Sequence, residues 1–441
     1  MRCLRDLLLL RAHDFLPEST FTSRFEYNSL TILSMSKTIA GVSVRSLAAE
    51  FPTPFFVYDA ESIRKRTAEL KCFDTVRYAQ KANSNLAILD LLRKEGVLVD
   101  CVSANEILRA FAVGCTKLVY TADIFDRESL DYVVEKSVPI NCGSLDMIAQ
   151  YGKRADAKIR EITVRINPGF GHGHSRKTNT GGDQSKHGIW FGQIGKCKAL
   201  ADQYGLKITG LHTHIGSGCD FEHLTQVCGK MKEFALEFGP QLEMISTGGG
   251  LPIPYKPEEE SIDVSRYFDH WDQTRKALEK SFGHPVRLET EPGRYLVAES
   301  GYLVSEIRAI KTQGENTFYL VDAGFNNLAR PTLYGAYHPI SIASANGNES
   351  TEELDVIVGG PLCESGDIFT QEDGGYVVRR RLPKANVGDY LILEIAGAYG
   401  AVMGSNYNSK PLAAEILIDA GTAKLIRRRQ TFEQMIANEI W

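Results

Sequence analysis

The sequence lacks any long apolar run, and none approaches the roughly 20 residues that a membrane-spanning helix needs. It also lacks a strong charge, since the net charge of -5 gives no indication of nucleic acid or an anionic membrane as a partner. The nine cysteines include no C-x-x-C pair, and an odd number without such pairs is typical of reduced thiols in the cytoplasm. These absences predict a cytoplasmic protein that binds neither nucleic acid nor membrane.

The 441-residue chain has room for a barrel and a partner domain, and its 43% hydrophobic residues can form a full core. Residues 1–34 differ from the rest. The apolar run Leu7–Leu10 is too short for a signal peptide, and acidic residues balance the arginines, which argues against a transit peptide. We therefore predict a poorly ordered N-terminal extension at residues 1–34 that carries no chemistry.

Short apolar strands alternate with amphipathic helices between about residues 55 and 300. The candidate strands are Val76–Ala79, Leu98–Val102, Lys117–Thr121, Ile140–Cys142, Ile162–Ile166, Ile208–Thr213, Met244–Ser246 and Val286–Glu289. This pattern predicts an α/β fold, a TIM-like (β/α)8 barrel, with an open doubly wound sheet as the alternative. The barrel is favoured because polar and glycine residues recur at the strands' C-terminal ends, where barrel active sites are built. These residues are Lys81, Asp100, Ser103, His214, Gly248 and Glu291.

After Gly301 the pattern changes to strands and turns without long helices. The candidate strands are Tyr302–Ile310, Thr317–Asp322, Val356–Val358, Tyr376–Arg380, Tyr390–Ile395 and Ile416–Ile418, followed by a short helix from about Thr431. We predict three parts beyond the extension: a segment at residues 35–59 that joins the β domain, a barrel at residues 60–300, and a C-terminal, mainly-β domain at residues 301–441.

Lys81 closes the strand-like stretch 75–83, and on position alone it would be a solvated charge at a strand end. Four other stretches change this interpretation. They are His212–Ser217, Gly248–Gly250, Glu291–Arg294 and Pro361–Asp367. Together with Lys81 they supply an amine, a phosphate cradle, a buried carboxylate and a cysteine, which are the groups that a pyridoxal phosphate enzyme uses.

Two of these motifs have structural alternatives. The glycines Gly248–Gly250 could form only a tight turn, or they could bring backbone N–H groups close to a phosphate without Cβ obstruction. Glu291 could belong to a structural ion pair, or its carboxylate could face a pyridine nitrogen and keep that nitrogen protonated.

Histidine and cysteine also allow two interpretations. His212 and His214, with His172 and His174, suggest zinc, but no carboxylate or cysteine accompanies them at ligand spacing, so we predict no metal. Cys363 could be a small buried hydrophobic residue. Its acidic neighbours would instead raise the pKa of its thiol and favour a protonated group that can donate a proton.

The motifs together resemble the fold-type III pyridoxal phosphate enzymes, the alanine racemase-like barrel group, and within it they are most similar to the diaminopimelate decarboxylases. The resemblance runs from about Pro54 to the C-terminus. Its most specific parts are Gly360–Asp367, Gly397–Gly400 and Ser405–Ser409. Ornithine and arginine decarboxylases resemble the chain in the lysine, histidine and Glu-Pro-Gly-Arg motifs, but carry aspartate where this chain has Glu364.

The resemblance implies a role for each motif. Lys81 forms the internal aldimine with pyridoxal phosphate, His214 stacks on its ring, Glu291 pairs with the pyridine nitrogen, and Cys363 is the proton donor. The full cofactor set is Lys81, Asp100, His214, Ser217, Gly248, Gly249, Gly250, Glu291, Pro292, Gly293, Arg294 and Tyr399. The substrate set is Arg294, Arg330 and Tyr334 for a distal carboxylate, Glu364 for the distal ammonium, and Tyr399.

The reaction implied is decarboxylation of meso-2,6-diaminopimelate to L-lysine and carbon dioxide, the last step of lysine biosynthesis. The resemblance also implies a homodimer in which Cys363 and Glu364 reach the neighbouring subunit's barrel, so that the active sites are shared. The alternatives are an ornithine- or arginine-type decarboxylase of the same fold, a non-catalytic regulatory homologue, and a barrel enzyme without the cofactor.

Overall fold

The computed structural model describes residues 37–171, 179–217 and 220–440. The extension predicted at residues 1–34 lies outside the described residues, as do His172 and His174. Among the helices that are described, none has both the length and the apolarity to cross a membrane.

The described chain begins with three strands and a helix. These are β1 (Thr38–Ile39), β2 (Val42–Ser43), α1 (Val44–Glu50) and β3 (Phe55–Asp59). A parallel barrel follows. Its strands are β4 (Thr75–Ala79), β5 (Leu98–Cys101), β6 (Leu118–Ala122), β7 (Ile140–Cys142), β8 (Glu161–Asn167), β10 (Lys207–His212), β11 (Met244–Ser246) and β12 (Arg287–Thr290), and the short β9 (Ile189–Trp190) pairs beside β8.

The barrel is closed, because β12 pairs with β4 and β8 pairs with β10, both in parallel. Closure confirms the predicted TIM-like barrel and excludes the open doubly wound sheet. The predicted barrel strands match the observed ones to within one residue at either end.

Helices precede, connect and follow the barrel strands. They are α2 (Ala60–Glu69), α3 (Leu86–Lys94), α4 (Ala104–Ala112), α5 (Arg127–Glu135), α6 (Leu145–Gly152), α7 (Ile194–Tyr204), α8 (Phe221–Phe238), α9 (Val264–Phe282) and α10 (Arg294–Val297). Side-chain caps fix where several begin, since Asn85 accepts from Ala87 N and Asp126 accepts from Ser129 N. Ser103 caps α4 in the same way. Although it was predicted to lie at a strand end, it does not line the cavity at the C-terminal ends of the barrel strands.

The second domain is mainly β. Its elements are β13 (Gly301–Gln313), β14 (Asn316–Val321), α11 (Arg330–Tyr334), β15 (Ile340–Ala343), β16 (Glu353–Gly359), β17 (Arg380–Pro383), β18 (Tyr390–Leu393), β19 (Ala414–Asp419), β20 (Thr422–Arg427) and α12 (Phe432–Ile436). The sheet order is β17-β16-β14-β13-β3-β19-β20, so β3 from the N-terminal segment lies between β13 and β19. The exact domain limits stay a prediction.

The predicted strands Tyr302–Ile310 and Val356–Val358 are longer in the structure, and two others include several residues outside the observed strands. The strand predicted at Tyr376–Arg380 is displaced, because the glycine turn at 374–375 precedes it and regular pairing begins only at Arg380. The strand predicted at Tyr390–Ile395 ends at Leu393, because Ile395 has a φ of 53°, outside the extended region.

Two glycines meet where the barrel joins the β domain. Gly301 opens β13, and a Cβ at this position would overlap the Cα of Gly397. A Cβ at Gly397 would in turn overlap the carbonyl oxygen of Val297. Only glycine therefore allows the two backbones to approach this closely.

We expect Gly301→Ala to destabilise the protein by about 1–3 kcal/mol, because the added methyl group must push the two backbones apart. Gly229→Ala is the matched control, since Gly229 is exposed in α8 and a Cβ there meets nothing within 4 Å. Alanine at 229 should stabilise by about 1 kcal/mol through its higher helix propensity. Denaturant unfolding measures both changes, and a Gly301→Ala protein as stable as the wild type would contradict this packing.

Candidate active site

A cavity of about 560 Å³ opens at the C-terminal ends of the barrel strands, and residues of the β domain complete its wall. Most of the residues singled out in the sequence line it. These are Lys81, Asp100, His214, Ser217, Gly249, Gly250, Glu291, Gly293, Arg294, Arg330, Tyr334 and Tyr399. The barrel therefore brings together residues that lie up to several hundred positions apart in the sequence.

Lys81 lies in a single 3-10 turn, Gln80–Ala82, directly after β4. The turn is fixed on the barrel side because the buried Gln80 amide donates to the carbonyl oxygen of Glu106 at 3.0 Å. On the other side, the backbone N–H of Tyr399 donates to the carbonyl oxygen of Ala82 at 2.7 Å. Both domains thus hold the lysine's backbone in place.

Tyr399 adopts a φ of 56°, in the left-handed region that non-glycine residues rarely occupy. The hydrogen bond to Ala82 holds it there. A second bond, from the Asn83 amide to the carbonyl oxygen of Gly397 at 3.2 Å, fastens the same loop to the lysine turn. A strained residue on a cavity wall is typical of functional sites.

Glu291 follows β12 and is buried. His212 Nε2 lies 2.8 Å from Glu291 Oε2, and the Ser246 hydroxyl donates to Glu291 Oε1 at 3.0 Å. Burial raises the pKa of Glu291, but the charge and hydrogen bond of His212, with the bond from Ser246, outweigh burial and lower the pKa below its ordinary value. Glu291 therefore places a fixed negative charge on the cavity wall. Its partner, His212, was considered in the sequence only as a possible metal ligand.

Asp100 and His214 each bring a buried polar atom without a partner among the described residues: Oδ1 of Asp100 and Nδ1 of His214. Burial, then the charge of Glu291, raises the pKa of Asp100. Burial, then the charges of Arg165 and Lys81, lowers the pKa of His214 and makes its imidazole neutral. Unpaired buried polar atoms on a cavity wall are typical of groups that await a ligand.

The glycine triplet forms a bare backbone surface between strands. Gly248 and Gly250 have positive φ values of 64° and 103°. A Cβ at Gly249 would lie 2.6 Å from the carbonyl oxygen of Glu291, and a Cβ at Gly250 would lie 2.6 Å from the carbonyl oxygen of Gly216. Gly249 and Gly250 line the cavity. Gly248 does not, and its carbonyl oxygen accepts a hydrogen bond from Glu291 N at 2.8 Å.

Three buried arginines line the same cavity, Arg165, Arg294 and Arg330, and the last two lie against the ring of Tyr255. Arg294, at the start of α10, donates to the Ser217 hydroxyl at 3.0 Å and to the Tyr255 hydroxyl at 2.7 Å. Arg330, at the start of α11, donates to His338 Nε2 at 2.8 Å. In the part of the chain that the structure describes, neither guanidinium forms an ion pair with a carboxylate. A buried cation without a counter-charge is costly, so the cavity is suited to anionic groups.

Comparisons with known proteins agree with this chemistry. Residues 60–298 match the family described as "Pyridoxal-dependent decarboxylase, pyridoxal binding domain". The diaminopimelate decarboxylase of Escherichia coli K12 is 49% identical over 418 residues, which cover 93% of this chain and 99% of that protein. The diaminopimelate decarboxylase of Streptomyces coelicolor is 49% identical over 407 residues, which cover 91% of this chain and 92% of that protein. The chain belongs to the pyridoxal-dependent decarboxylase family.

Solved structures of the family share the architecture. A crystal structure of diaminopimelate decarboxylase superposes with a TM-score of 0.88 at 48% identity, covering 92% of this chain and 98% of that one. The Helicobacter pylori diaminopimelate decarboxylase, complexed with L-lysine, gives a TM-score of 0.80 at 29% identity, covering 89% of this chain and 98% of that one. A lysine/ornithine decarboxylase from Vibrio vulnificus gives 0.72 at 19% identity and shows the fold alone.

Membership of this family implies pyridoxal phosphate as the cofactor, and the cavity fits it in three respects. The phosphate needs N–H groups and cations, and the glycine backbone and Arg294 carry such groups. The pyridine nitrogen needs an anion nearby, and Glu291 is an anion on the cavity wall. The ring face needs a flat neutral partner, and the unpaired His214 imidazole lies close to the glycine loop, 3.7 Å from the Cβ position of Gly249.

Cys363 and Glu364 do not line the cavity of their own chain. Both are exposed, so the alternative that Cys363 is a buried hydrophobic residue is wrong. The loop is nevertheless ordered by side chains, since Asn408 Oδ1 accepts from Cys363 N at 2.7 Å and Asp367 Oδ2 accepts from Leu362 N at 2.8 Å. Within one chain the predicted proton donor is therefore not part of the site.

Pro292 also lies outside the cavity wall and acts through its backbone, where its carbonyl oxygen accepts from Ala79 N at 3.1 Å. Among the described residues no group of three or more histidine, cysteine, aspartate or glutamate side chains could hold a metal ion. His212, the possible zinc ligand, is instead the partner of Glu291.

Several residues of the site were not found from the sequence. Tyr255, Arg165 and Thr121 line the cavity, and His338 bonds to Arg330 from outside its wall. Thr121 and Arg165 do lie at or near strand ends, the same signal that marked Asp100, so they could have been found. Tyr255 lies in an irregular stretch after the glycines, and nothing in the local pattern marks it.

Proposed function

We propose that the chain catalyses the pyridoxal phosphate-dependent decarboxylation of meso-2,6-diaminopimelate to L-lysine and carbon dioxide, the last step of lysine biosynthesis. Relatives with this activity in their names, at 49% identity over nearly the whole chain, support the proposal. The observation that carries it is Arg330, a buried guanidinium on the cavity wall without a carboxylate partner among the described residues. A substrate with a carboxylate at its distal end would supply that partner.

In this proposal the cofactor is held at three points. Lys81 would hold it covalently through its amine, Gly249, Gly250, Ser217 and Arg294 would surround its phosphate, and Glu291 would face its ring nitrogen. When bound, pyridoxal phosphate supplies an electron sink that takes up the electron pair left behind as carbon dioxide departs.

The chain's own residues maintain that sink. The lowered pKa of Glu291 keeps its carboxylate ionised, so it can hold a proton on the facing ring nitrogen. The lowered pKa of His214 keeps its imidazole neutral, so that it can pack on a flat ring without adding a charge. Tyr399 lines the same cavity, and its ring centroid lies 5.3 Å from Cζ of Arg294.

Substrate choice would rest on the distal end of the substrate. Arg330 and Tyr334 would bind the distal carboxylate, with Arg294 adjacent, and Glu364 would bind the distal ammonium. Ornithine and lysine carry only an ammonium at that end and would leave Arg330 buried and unpaired. Leaving a buried charged group unsatisfied costs on the order of 1–3 kcal/mol or more, which disfavours the ornithine-type alternative.

We further propose a homodimer in which Cys363 and Glu364 enter the partner's cavity. Their exposure, and their absence from the cavity wall of their own chain, support this arrangement. The Cys363 thiol would then donate its proton to the carbon that has lost carbon dioxide. A cytoplasmic location is proposed too, supported by the seven described cysteines, all of which are free thiols.

The substrate assignment predicts release of carbon dioxide from meso-diaminopimelate and negligible release from ornithine, arginine or lysine. Arg330→Lys should lower kcat/KM for meso-diaminopimelate by about 10- to 100-fold, because lysine cannot reproduce a bidentate pair with a carboxylate. Arg308→Lys is the matched control, since Arg308 is exposed in β13 and distant from the cavity wall. Comparable rates on ornithine, or unchanged kinetics in Arg330→Lys, would show that the distal site is misassigned.

The shared site predicts complementation between two inactive proteins. Lys81→Ala and Cys363→Ala subunits, unfolded together and refolded as a mixture, should recover about a quarter of the wild-type activity. Half of the randomly paired dimers would carry one intact site. The control is the double variant Lys81→Ala/Cys363→Ala mixed with Cys363→Ala, which cannot form an intact site. A mixture no more active than its components would argue for a site built from one chain.

A further inference from the structure

His338 is a buried histidine that contacts the cavity only through other residues. Its exposed fraction is 1%, and it is not part of the cavity wall. Its Nε2 lies 2.8 Å from Nη1 of Arg330, which does line the cavity. Its Nδ1 lies 2.9 Å from the backbone carbonyl oxygen of Glu394. The imidazole therefore links the end of β18 to the arginine.

The two partners of His338 determine which nitrogen carries its proton. An arginine can only donate, so Nε2 must be unprotonated to accept from Arg330. The carbonyl oxygen of Glu394 can only accept, so Nδ1 must carry the hydrogen. Burial, and then the charge of Arg330, lowers the pKa of His338 well below its ordinary value, which agrees with a neutral ring.

The chain between the two residues is built to bring them together. Arg330 begins the short helix α11, and Gly335 ends it with a φ of 59°. A Cβ at Gly335 would overlap the backbone nitrogen of Asp373, so only glycine permits this turn. The turn returns the chain so that His338, eight residues after Arg330, can bond to its guanidinium.

Tyr255 restricts the guanidinium from another direction. Its ring lies 4.8 Å from Cζ of Arg330, and the same ring meets His338 edge-on at 82° with 5.6 Å between centroids. The Tyr255 hydroxyl accepts from Arg294 at 2.7 Å. The Tyr255 side chain also forms a hydrogen bond with Arg330. Tyr255 therefore restrains the guanidinium on one side, and the imidazole nitrogen of His338 adds a second directional hydrogen bond at Nη1.

We propose that His338 is a positioning residue whose neutral imidazole accepts a hydrogen bond from Arg330 and thereby orients the guanidinium toward the distal carboxylate of the substrate. This inference rests on the proposed function for the identity of the carboxylate. It assigns no contact between His338 and the substrate or the cofactor. Its consequence is that loss of the acceptor nitrogen weakens the binding of distal carboxylates while leaving the rest of the site intact.

Two substitutions test the hydrogen bonds of the two ring nitrogens of His338 separately. In His338→Gln the side-chain oxygen can take the place of Nε2 and accept from Arg330. In His338→Asn the amide nitrogen can take the place of Nδ1 and donate to Glu394, but no acceptor reaches Arg330. With the holoenzyme, the measurements are kcat and KM for meso-diaminopimelate and the inhibition constants of pimelate, a dicarboxylate, and cadaverine, a diamine.

We expect His338→Asn to raise KM for meso-diaminopimelate and the inhibition constant of pimelate by about tenfold, as for a lost hydrogen bond to a charged group. The inhibition constant of cadaverine and the visible spectrum of the cofactor should not change, and His338→Gln should recover most of the loss. Equal weakening of pimelate and cadaverine would indicate a general structural role and overturn the proposal, as would unaltered pimelate inhibition in His338→Asn.

A measurement on the unsubstituted protein covers the case in which a variant does not fold. In protein labelled with ¹⁵N-histidine, His338 should give the shifts of a neutral ring protonated at Nδ1 near neutral pH, and a doubly protonated ring would overturn the proposal. The wild-type assay separates the two claims. If the wild type releases no carbon dioxide from meso-diaminopimelate, the proposed function fails, while the ¹⁵N shifts still decide whether His338 accepts from Arg330.

Discussion

Two buried guanidinium groups at one end of the cavity are the constraint on which the rest of the site depends. Arg294 and Arg330 approach the same tyrosine, Tyr255. Burial first, and then the charge of Arg294, lowers the pKa of Arg330. Their desolvation is not offset by carboxylates in the described chain. The cavity is therefore electrostatically complete only when anionic groups occupy it, and a cofactor phosphate with a substrate carboxylate would meet that requirement.

Glu291 supplies the complementary charge on the cavity wall. Its carboxylate is held ionised by His212 and Ser246. A molecule with a cationic ring at one point and anionic groups at others would therefore have one preferred orientation in the cavity. Both domains are needed for this arrangement, because Glu291 and Arg294 come from the barrel region and Arg330 follows β14. The glycine contact at Gly301 and Gly397 lets the two parts approach closely enough.

The barrel could be predicted from the sequence because each strand is a short apolar run with a polar residue at its end, and these signals are local. The strand at Tyr376–Arg380 could not be placed correctly, because its start depends on the turn at the preceding glycines and on pairing with β16. The roles of Tyr255 and His338 depend on bonds to residues far along the chain, such as Glu394, and only the folded structure brings these together. Cys363 and Glu364 were found by their motif, but their positions relative to a cavity concern a second chain and remain a prediction.

The central claim is that this cavity holds pyridoxal phosphate on Lys81, and borohydride reduction followed by peptide mass spectrometry tests it most directly. Among the described residues, two lysines line the cavity, Lys81 and Lys256, so the labelled position discriminates between them. We expect borohydride to bleach the visible absorbance and leave a pyridoxyl group on the peptide that contains Lys81, in the wild type and in Lys256→Ala alike. A label on Lys256, or a label that persists in Lys81→Ala, would contradict the account.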